Sequence, residues 1–196
     1  MLKVLSSALL VGSCVVFARP AYAQHHATPS TGSASSAKYE LGADLATQYI
    51  SRGDGVGGAF QLGAPVDLRV GFLSKSPLSF EARAAFAYDS KGTGTDATLT
   101  FAPGVNALYA LKRGTGTRGL MAAPYVTGGL GLNLTKFGAA GTDTQFGIGG
   151  GLGTRLQAGG GGLAWRPEGY MTYSFKSGNL PSAFAIGVRM GLSFWH

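Results

Sequence analysis

The sequence predicts an all-β fold: eight antiparallel strands closed into an up-and-down barrel that crosses a membrane. Three observations carry this reading. From residue 38 to the C-terminus, apolar and polar-or-small residues alternate with period two, the mark of strands with two unlike faces. The alternation comes in eight runs, and none of the segments between them supports a long amphipathic helix. The apolar faces are often six or seven positions long, more than the whole length of a usual soluble strand, about 5–6 residues.

The chain has 196 residues, enough for one domain but not for a large two-domain enzyme. It opens on MLKVLSSALLVGSCVVFARPAYA, residues 1–23. Lys3 gives the positive start, Val4 to Phe17 the apolar stretch, and Ala21-Tyr22-Ala23 the small-x-small cleavage pattern of an export signal, which places Gln24 at the mature N-terminus. The apolar run is shorter than the roughly 20 residues a spanning helix needs. Val11-Gly12-Ser13-Cys14 faintly resembles a lipoprotein cleavage box, but apolar residues continue past it to Phe17. Cleavage after Ala23 removes Cys14, the only cysteine, so the mature chain forms no disulfide. Residues 24–37, QHHATPSTGSASSA, read as a flexible periplasmic leader, and His25 and His26 have no neighbouring Cys, Asp or Glu with which to hold a metal.

The strands follow in order. The first aligns Tyr39, Leu41, Ala43, Leu45, Thr47 and Tyr49 opposite Glu40, Gly42, Asp44, Ala46 and Gln48. The second aligns Phe60, Leu62, Ala64, Val66, Leu68, Val70 and Phe72 opposite Asp67 and Arg69, and the third sets Leu78, Phe80, Ala82, Ala84, Phe86 and Tyr88 against Glu81, Arg83 and Asp89. The fourth brings Leu99, Phe101, Pro103, Val105, Ala107, Tyr109 and Leu111 together. A fifth over 120–134 sets Leu120, Ala122, Val126, Leu130, Leu132 and Leu134 against Tyr125, Thr127 and Asn133, and a sixth over 145–156 sets Phe146, Ile148, Leu152 and Leu156 against Gln145 and Arg155. The seventh, 163–175, aligns Trp165, Met171, Tyr173 and Phe175 opposite Arg166, Glu168, Tyr170 and Thr172. The eighth aligns Phe184, Ile186, Val188, Met190, Leu192 and Phe194, with Arg189 and Ser193 behind.

Which face is buried decides the class. A soluble barrel, sandwich or lipocalin-like carrier would fold the apolar faces into a core; a transmembrane barrel turns them outward to lipid. The opposite faces here combine charge with Gly and Ala, as a narrow interior requires, and Tyr39, Tyr49, Phe60, Phe72, Tyr88 and Tyr109 fall near strand ends, where interfacial aromatic girdles sit. Glycine supplies 33 residues without a strict period, which excludes collagen and fits close backbone approach in a tightly curved sheet. A sheet in hydrocarbon cannot leave an edge unpaired, so an even number of strands closing on itself is the consistent solution.

This pattern over residues 38–196 resembles the small eight-stranded outer-membrane β-barrel superfamily of Gram-negative bacteria. Phe184, Ile186, Val188, Met190, Leu192 and Phe194 are similar to the final-strand signal by which such proteins are recognised for barrel insertion, although this chain continues with Trp195 and His196. PYVTGGLGLN at 124–133 looks like the fifth-strand region of these barrels. The resemblance implies residence in the outer membrane, contact with its lipid and lipopolysaccharide, and the barrel-insertion machinery as a partner during biogenesis.

A periplasmic N-terminus sets surface loops near 50–58, 90–97, 135–144 and 176–183, periplasmic turns near 74–77, 112–119 and 157–162, and a periplasmic C-terminus. The loops are short and Gly/Thr/Ser-rich, and the sequence names no surface partner. Lys112, Arg113 and Arg118 in the second turn suit water or anionic headgroups. No Lys/Arg-rich run offers a nucleic-acid footprint. Pro65, Pro103, Pro124 and Pro167 each remove a ladder donor; Pro124 and Pro167 can sit near a strand entry, while Pro65 and Pro103 call for bulges or local twists.

Alternation turns Asp44, Asp67, Arg69, Glu81, Arg83, Arg155, Arg166, Glu168 and Arg189 inward, where lone charges are costly and paired ones persist. The expectation is a connected ionic plug centred on Arg83, Glu168 and Arg189, with Asp67/Arg69 opposite Glu81/Arg83 and Arg189 beside both Glu168 and Asp44. Catalysis has little support: the histidines are His25, His26 and His196, all outside the strands, so Ser79, Ser174 and Ser193 lack an activating base. The Gly147–Gly151 run has no helix after it to hold a nucleotide. No cofactor or metal is expected. The expected role is a non-enzymatic structural or surface-interaction protein, with a narrow channel or small-molecule conduit as the alternative and a lipocalin-like carrier or a lipid-modifying enzyme ranked below it.

Overall fold

The computed structural model describes residues 39–55, 57–74, 76–89, 97–111, 124–137, 141–158, 162–178 and 180–195. The export signal and leader, Cys14, His25, His26, Lys112, Arg113, Arg118 and His196 lie outside the described residues.

Eight long strands follow one another: β1 Tyr39–Arg52, β2 Ala59–Phe72, β3 Leu78–Asp89, β4 Thr98–Ala110, β5 Tyr125–Phe137, β6 Thr142–Gly153, β7 Leu163–Ser174 and β8 Ala183–Trp195. Each pairs antiparallel with its neighbours in sequence, and β8 returns to β1 from Glu40↔Trp195 to Arg52↔Ala183. The sheet therefore has no first or last strand, and the backbone donors and acceptors that lipid could not satisfy are paired within it. A two-residue piece, Leu156–Gln157, resumes the β6 ladder against β7 after a break at Thr154 and Arg155.

The apolar faces point outward. Leu62, Val66, Phe80, Phe101 and Ile186 are 79%, 42%, 57%, 37% and 49% exposed, and the buried apolar residues among those described are few and mostly small or tyrosine: Ala46, Leu108, Tyr125, Ala164, Tyr170 and Ala185. A soluble barrel would hide its Phe and Leu side chains; here they form an unbroken outer belt, and the soluble alternatives are excluded. Cross-strand aromatic pairs reinforce the belt, with Phe86 and Phe101 directly opposite and their ring centroids 5.0 Å apart, and Tyr39 edge-on to Phe72 at 5.9 Å.

Three boundaries depart from the sequence reading. The hairpin of β5 and β6 runs on through Thr135↔Asp143 and Lys136↔Thr142, so the third loop is shorter than 135–144. Polar residues continue the ladder there by backbone pairing alone, which leaves no apolar trace in the sequence. β1 likewise extends to Arg52, and β5 begins at Tyr125, after Pro124. Prolines split in behaviour. At Pro65 the β1–β2 register shifts between Leu45 and Thr47, with Gly63 at φ 69° absorbing the bend. At Pro103 no bulge forms: the ladder to β5 skips Ala102 and Pro103, and the register is the same at Phe101↔Leu134 and Gly104↔Gly131. Pro167 is inside β7 rather than at its entry, placed where the β6 ladder is broken, and its carbonyl accepts from Thr154 N at 3.1 Å.

Candidate functional site: the charged lumen

The inward faces bring ten charged side chains into one network, five carboxylates (Glu40, Asp44, Asp67, Glu81, Glu168) and five guanidiniums (Arg69, Arg83, Arg155, Arg166, Arg189). Period-two alternation explains the convergence, since even one-residue slips would turn these groups into lipid. The balance of five against five matters physically. Charge can be taken out of water only where each group meets an opposite charge or a hydrogen-bond partner.

The centre lies toward the end of the barrel that carries the β2–β3 turn. Arg166, 2% exposed, donates from Nη1 to Glu81 Oε2 at 2.5 Å and to Glu40 Oε1 at 3.4 Å, from Nη2 to Glu168 Oε2 at 3.3 Å, and from Nε to the Tyr125 hydroxyl at 2.5 Å. Tyr125, fully buried, passes the polarisation on by donating to Glu168 Oε2 at 2.7 Å, and the guanidiniums of Arg155 and Arg166 each stand 4.8 Å from its ring centroid. Glu40 receives Arg155 Nη2 at 2.6 Å and Arg69 Nη1 at 2.9 Å. Arg69 also donates to Asp44 Oδ2 at 2.6 Å and to Ser193 Oγ at 2.8 Å. Space for these groups comes from glycine. A Cβ on Gly42 would overlap the Arg69 guanidinium, and one on Gly153 would overlap the Tyr125 ring end.

The second cluster is smaller. Arg83 bonds Asp67, and Arg189 bonds Glu168 with Asp67 at 3.5 Å. These two arginines are 9% and 11% exposed, against 1–5% for Arg69, Arg155 and Arg166.

This arrangement differs from the sequence expectation in its centre, in the partner of Asp44 and in its membership. The centre is Arg166 with Glu40 and Glu81, while Arg83 and Arg189 form the edge; Glu168 joins both clusters, and so does Glu81, which stands 3.6 Å from Arg83 Nε. Asp44 does not meet Arg189, because across the β1–β8 ladder Arg189 is level with Ala46 and Asp44 is taken by Arg69. In the β2–β3 hairpin Arg69 stands directly opposite Arg83, and the two diverge, Arg83 reaching diagonally to Asp67. Glu40 and Tyr125 are members that the sequence candidates omit. Their signal is present, since each shares the inward parity of its strand, but both sit at a strand end where a rim position looks equally good.

Glu168 and Arg189 are directly opposite across β7 and β8. A double-mutant cycle of Glu168→Ala and Arg189→Ala, read by chemical denaturation in detergent micelles, is expected to give a coupling of roughly 1–3 kcal/mol. Additive losses would mean the two groups are served separately by water.

No protein-family model and no curated protein matches the sequence. Solved structures do. Neisserial surface protein A is 17% identical, with a TM-score of 0.63 over 81% of this chain and 97% of that one. Ail, the attachment invasion locus protein of Yersinia pestis, is 10% identical, with a TM-score of 0.46 over 81% of this chain and 99% of that one. Ail in complex with the heparin analogue sucrose octasulfate scores 0.49 at 10% identity, over 80% and 97%. The last two scores add no weight to the argument. The outward apolar belt, the closed ring of eight strands and the match to the Neisserial protein together give this chain the fold of the small eight-stranded outer-membrane β-barrels.

Proposed function

We propose that the chain is a non-enzymatic outer-membrane protein with a structural or surface-interaction role, its lumen sealed by the ion-paired plug. The observation that carries this is the charge-balanced network itself: five carboxylates and five guanidiniums, nearly all at most about a tenth exposed, fill the cross-section of a barrel narrow enough to be closed by side chains. Such a filling favours a scaffold over a conduit. Export by residues 1–23, a mature start at Gln24, and both termini in the periplasm complete the reading. The alternating Phe184, Ile186, Val188, Met190, Leu192 and Phe194 serve as the insertion signal for the assembly machinery, and the outer belt meets lipid and lipopolysaccharide.

The test joins two measurements on protein refolded from Gln24 onward. Unheated protein should migrate differently from boiled protein on a gel, reporting a closed barrel, and the same preparation should leave a planar lipid bilayer without steady conductance. A closed barrel that conducts would replace the plug with the channel. Expressed with its leader, the protein should fractionate with the outer membrane and yield Gln24 on N-terminal sequencing; a soluble native form would reject the compartment.

A further inference from the structure

The outer belt is not uniform. Across β6, β7, β8 and β1 it sinks into a hollow of about 980 Å³. Among the described residues, none that line it belongs to β3, β4 or β5, the far wall of the lumen, so the hollow is on the lipid-facing side. Two outward rungs form its middle. Gly150, Met171 and Ile186 are cross-strand partners in one, and Leu152, Gly169 and Val188 in the next. Each rung lacks a side chain on one strand, while the four apolar side chains beside the gaps are exposed. At Gly150 the gap is obligatory, because a Cβ would meet the Thr127 carbonyl oxygen at 2.8 Å. At Gly169 it is not, since a Cβ there would meet only the Leu152 carbonyl oxygen, at 4.0 Å. Tyr49, Phe60, Tyr173 and Phe184 line the end nearer the β1–β2 and β7–β8 connections.

Those two connections meet beyond that end. Gly53 N donates to the Ser182 carbonyl oxygen at 2.8 Å, and Lys176 Nζ donates to Asp54 Oδ2 at 2.7 Å. The ion pair is neutral as a unit. Arg52, the last residue of β1, is exposed and has no acidic partner among the described residues, so this rim keeps one uncompensated positive charge. Shape and charge together select the occupant. The outward face meets hydrocarbon, and apolar chains are what fills a hollow there. Crossing four strands means three strand spacings, roughly 14 Å at ~4.8 Å each, which is broad for one extended chain and suits several side by side. A lipid with several acyl chains below an anionic headgroup matches both features.

We infer that the hollow seats acyl chains of lipopolysaccharide, with the Arg52 guanidinium at the level of its phosphate groups. This deepens the proposed function and rests on it, since only an outer-membrane barrel with these connections at the surface has that lipid beside the hollow. It concerns one retained lipid at a fixed place, not the general contact of the belt with the bilayer.

A matched pair of variants tests it. Gly169→Leu places a side chain in the hollow. Gly128→Leu adds the same side chain to the outer face of β5, outside the hollow, where a Cβ likewise meets one carbonyl oxygen, that of Gly149, at 4.0 Å. Each protein is refolded from Gln24 in detergent, shown to be closed by the gel shift, and titrated with purified deep-rough lipopolysaccharide, the bound fraction being read by native mass spectrometry. Gly169→Leu should weaken binding by about tenfold, the effect of losing contact with about two methylene groups, and Gly128→Leu should leave it unchanged. Arg52→Gln should weaken it by about fivefold, the share of one cation beside an anionic lipid. Phosphatidylglycerol, with two chains, should bind about tenfold more weakly than lipopolysaccharide. Binding indifferent to Gly169→Leu, or weakened equally by both leucine variants, overturns the site. Equal binding of phosphatidylglycerol overturns the lipid class, and a dimer that Gly169→Leu dissociates would put a second copy in the hollow instead. Orientation is read separately, because the chain from Gln24 has no cysteine of its own. Lys176→Cys, at a position 63% exposed, should label from outside in whole cells. Failure there strikes the proposed orientation, whereas the binding constants strike the site, so the two failures are distinguishable.

Discussion

Replacing Arg166 by methionine is expected to be the most damaging single change inside the barrel, at about 3–5 kcal/mol. The side chain fills nearly the same volume, so packing changes little. What is lost is the cation shared by Glu81, Glu40 and Glu168, together with the donor to Tyr125. Three carboxylates that are each at most 3% exposed then have fewer positive neighbours and no route to water. Arg189→Met makes the informative comparison. Arg189 is 11% exposed, against 2% for Arg166, so water can replace part of what it supplied, and its loss should cost about 1–3 kcal/mol. Adding Glu81→Gln to Arg166→Met should recover part of the deficit, because it removes one of the stranded charges. Denaturation midpoints in micelles measure all three. An Arg166→Met variant no weaker than Arg189→Met would show that the network has no centre at Arg166.

Strands and their faces are more legible in the sequence than partners across the lumen. The faces follow from parity, which is local: Asp67 and Arg69 point one way and Leu68 and Val70 the other whatever the barrel does. Pairings depend on register and on the tilt of the whole ring, which is not local. Glu40 meets Arg155 and Arg166, well over a hundred residues away in sequence, only because β8 closes against β1 with Trp195 level with Glu40. Neighbouring-strand logic finds Glu168 with Arg189, on the same ladder rung, and misplaces Asp44, whose partner Arg69 lies diagonally opposite on β2. The glycines show the same limit. Their abundance suggests close approach, but the rows across β4 to β6 emerge only once Gly104, Gly131 and Gly147 are known to be in register.

On the outer face, Leu130→Arg is expected to destabilise the barrel in a lipid bilayer by about 2–4 kcal/mol. Leu130 lies near the middle of β5, is 53% exposed, and is flanked across the ladders by Val105 and Ile148, which also point outward. A guanidinium placed there faces hydrocarbon from every side and has to reach for an interface or draw water in. Leu78 offers the contrast. It is also outward and 40% exposed, but it is the first residue of β3, at the turn end of the barrel. Leu78→Arg can extend its charge into the headgroups, and its cost should be only about 0–1 kcal/mol. Hydrophobicity alone does not separate the two positions, since both replace leucine by arginine on an exposed surface. Depth in the bilayer separates them. Unfolding from vesicles of a phospholipid with acyl chains matched to the belt would give both values, and equal penalties at Leu78 and Leu130 would reject a belt centred on the middle of β5. Penalties that disappear when the same pair is measured in a short-chain detergent micelle, where headgroups and water reach every outward position, would tie the cost to the hydrocarbon slab rather than to contacts within the protein.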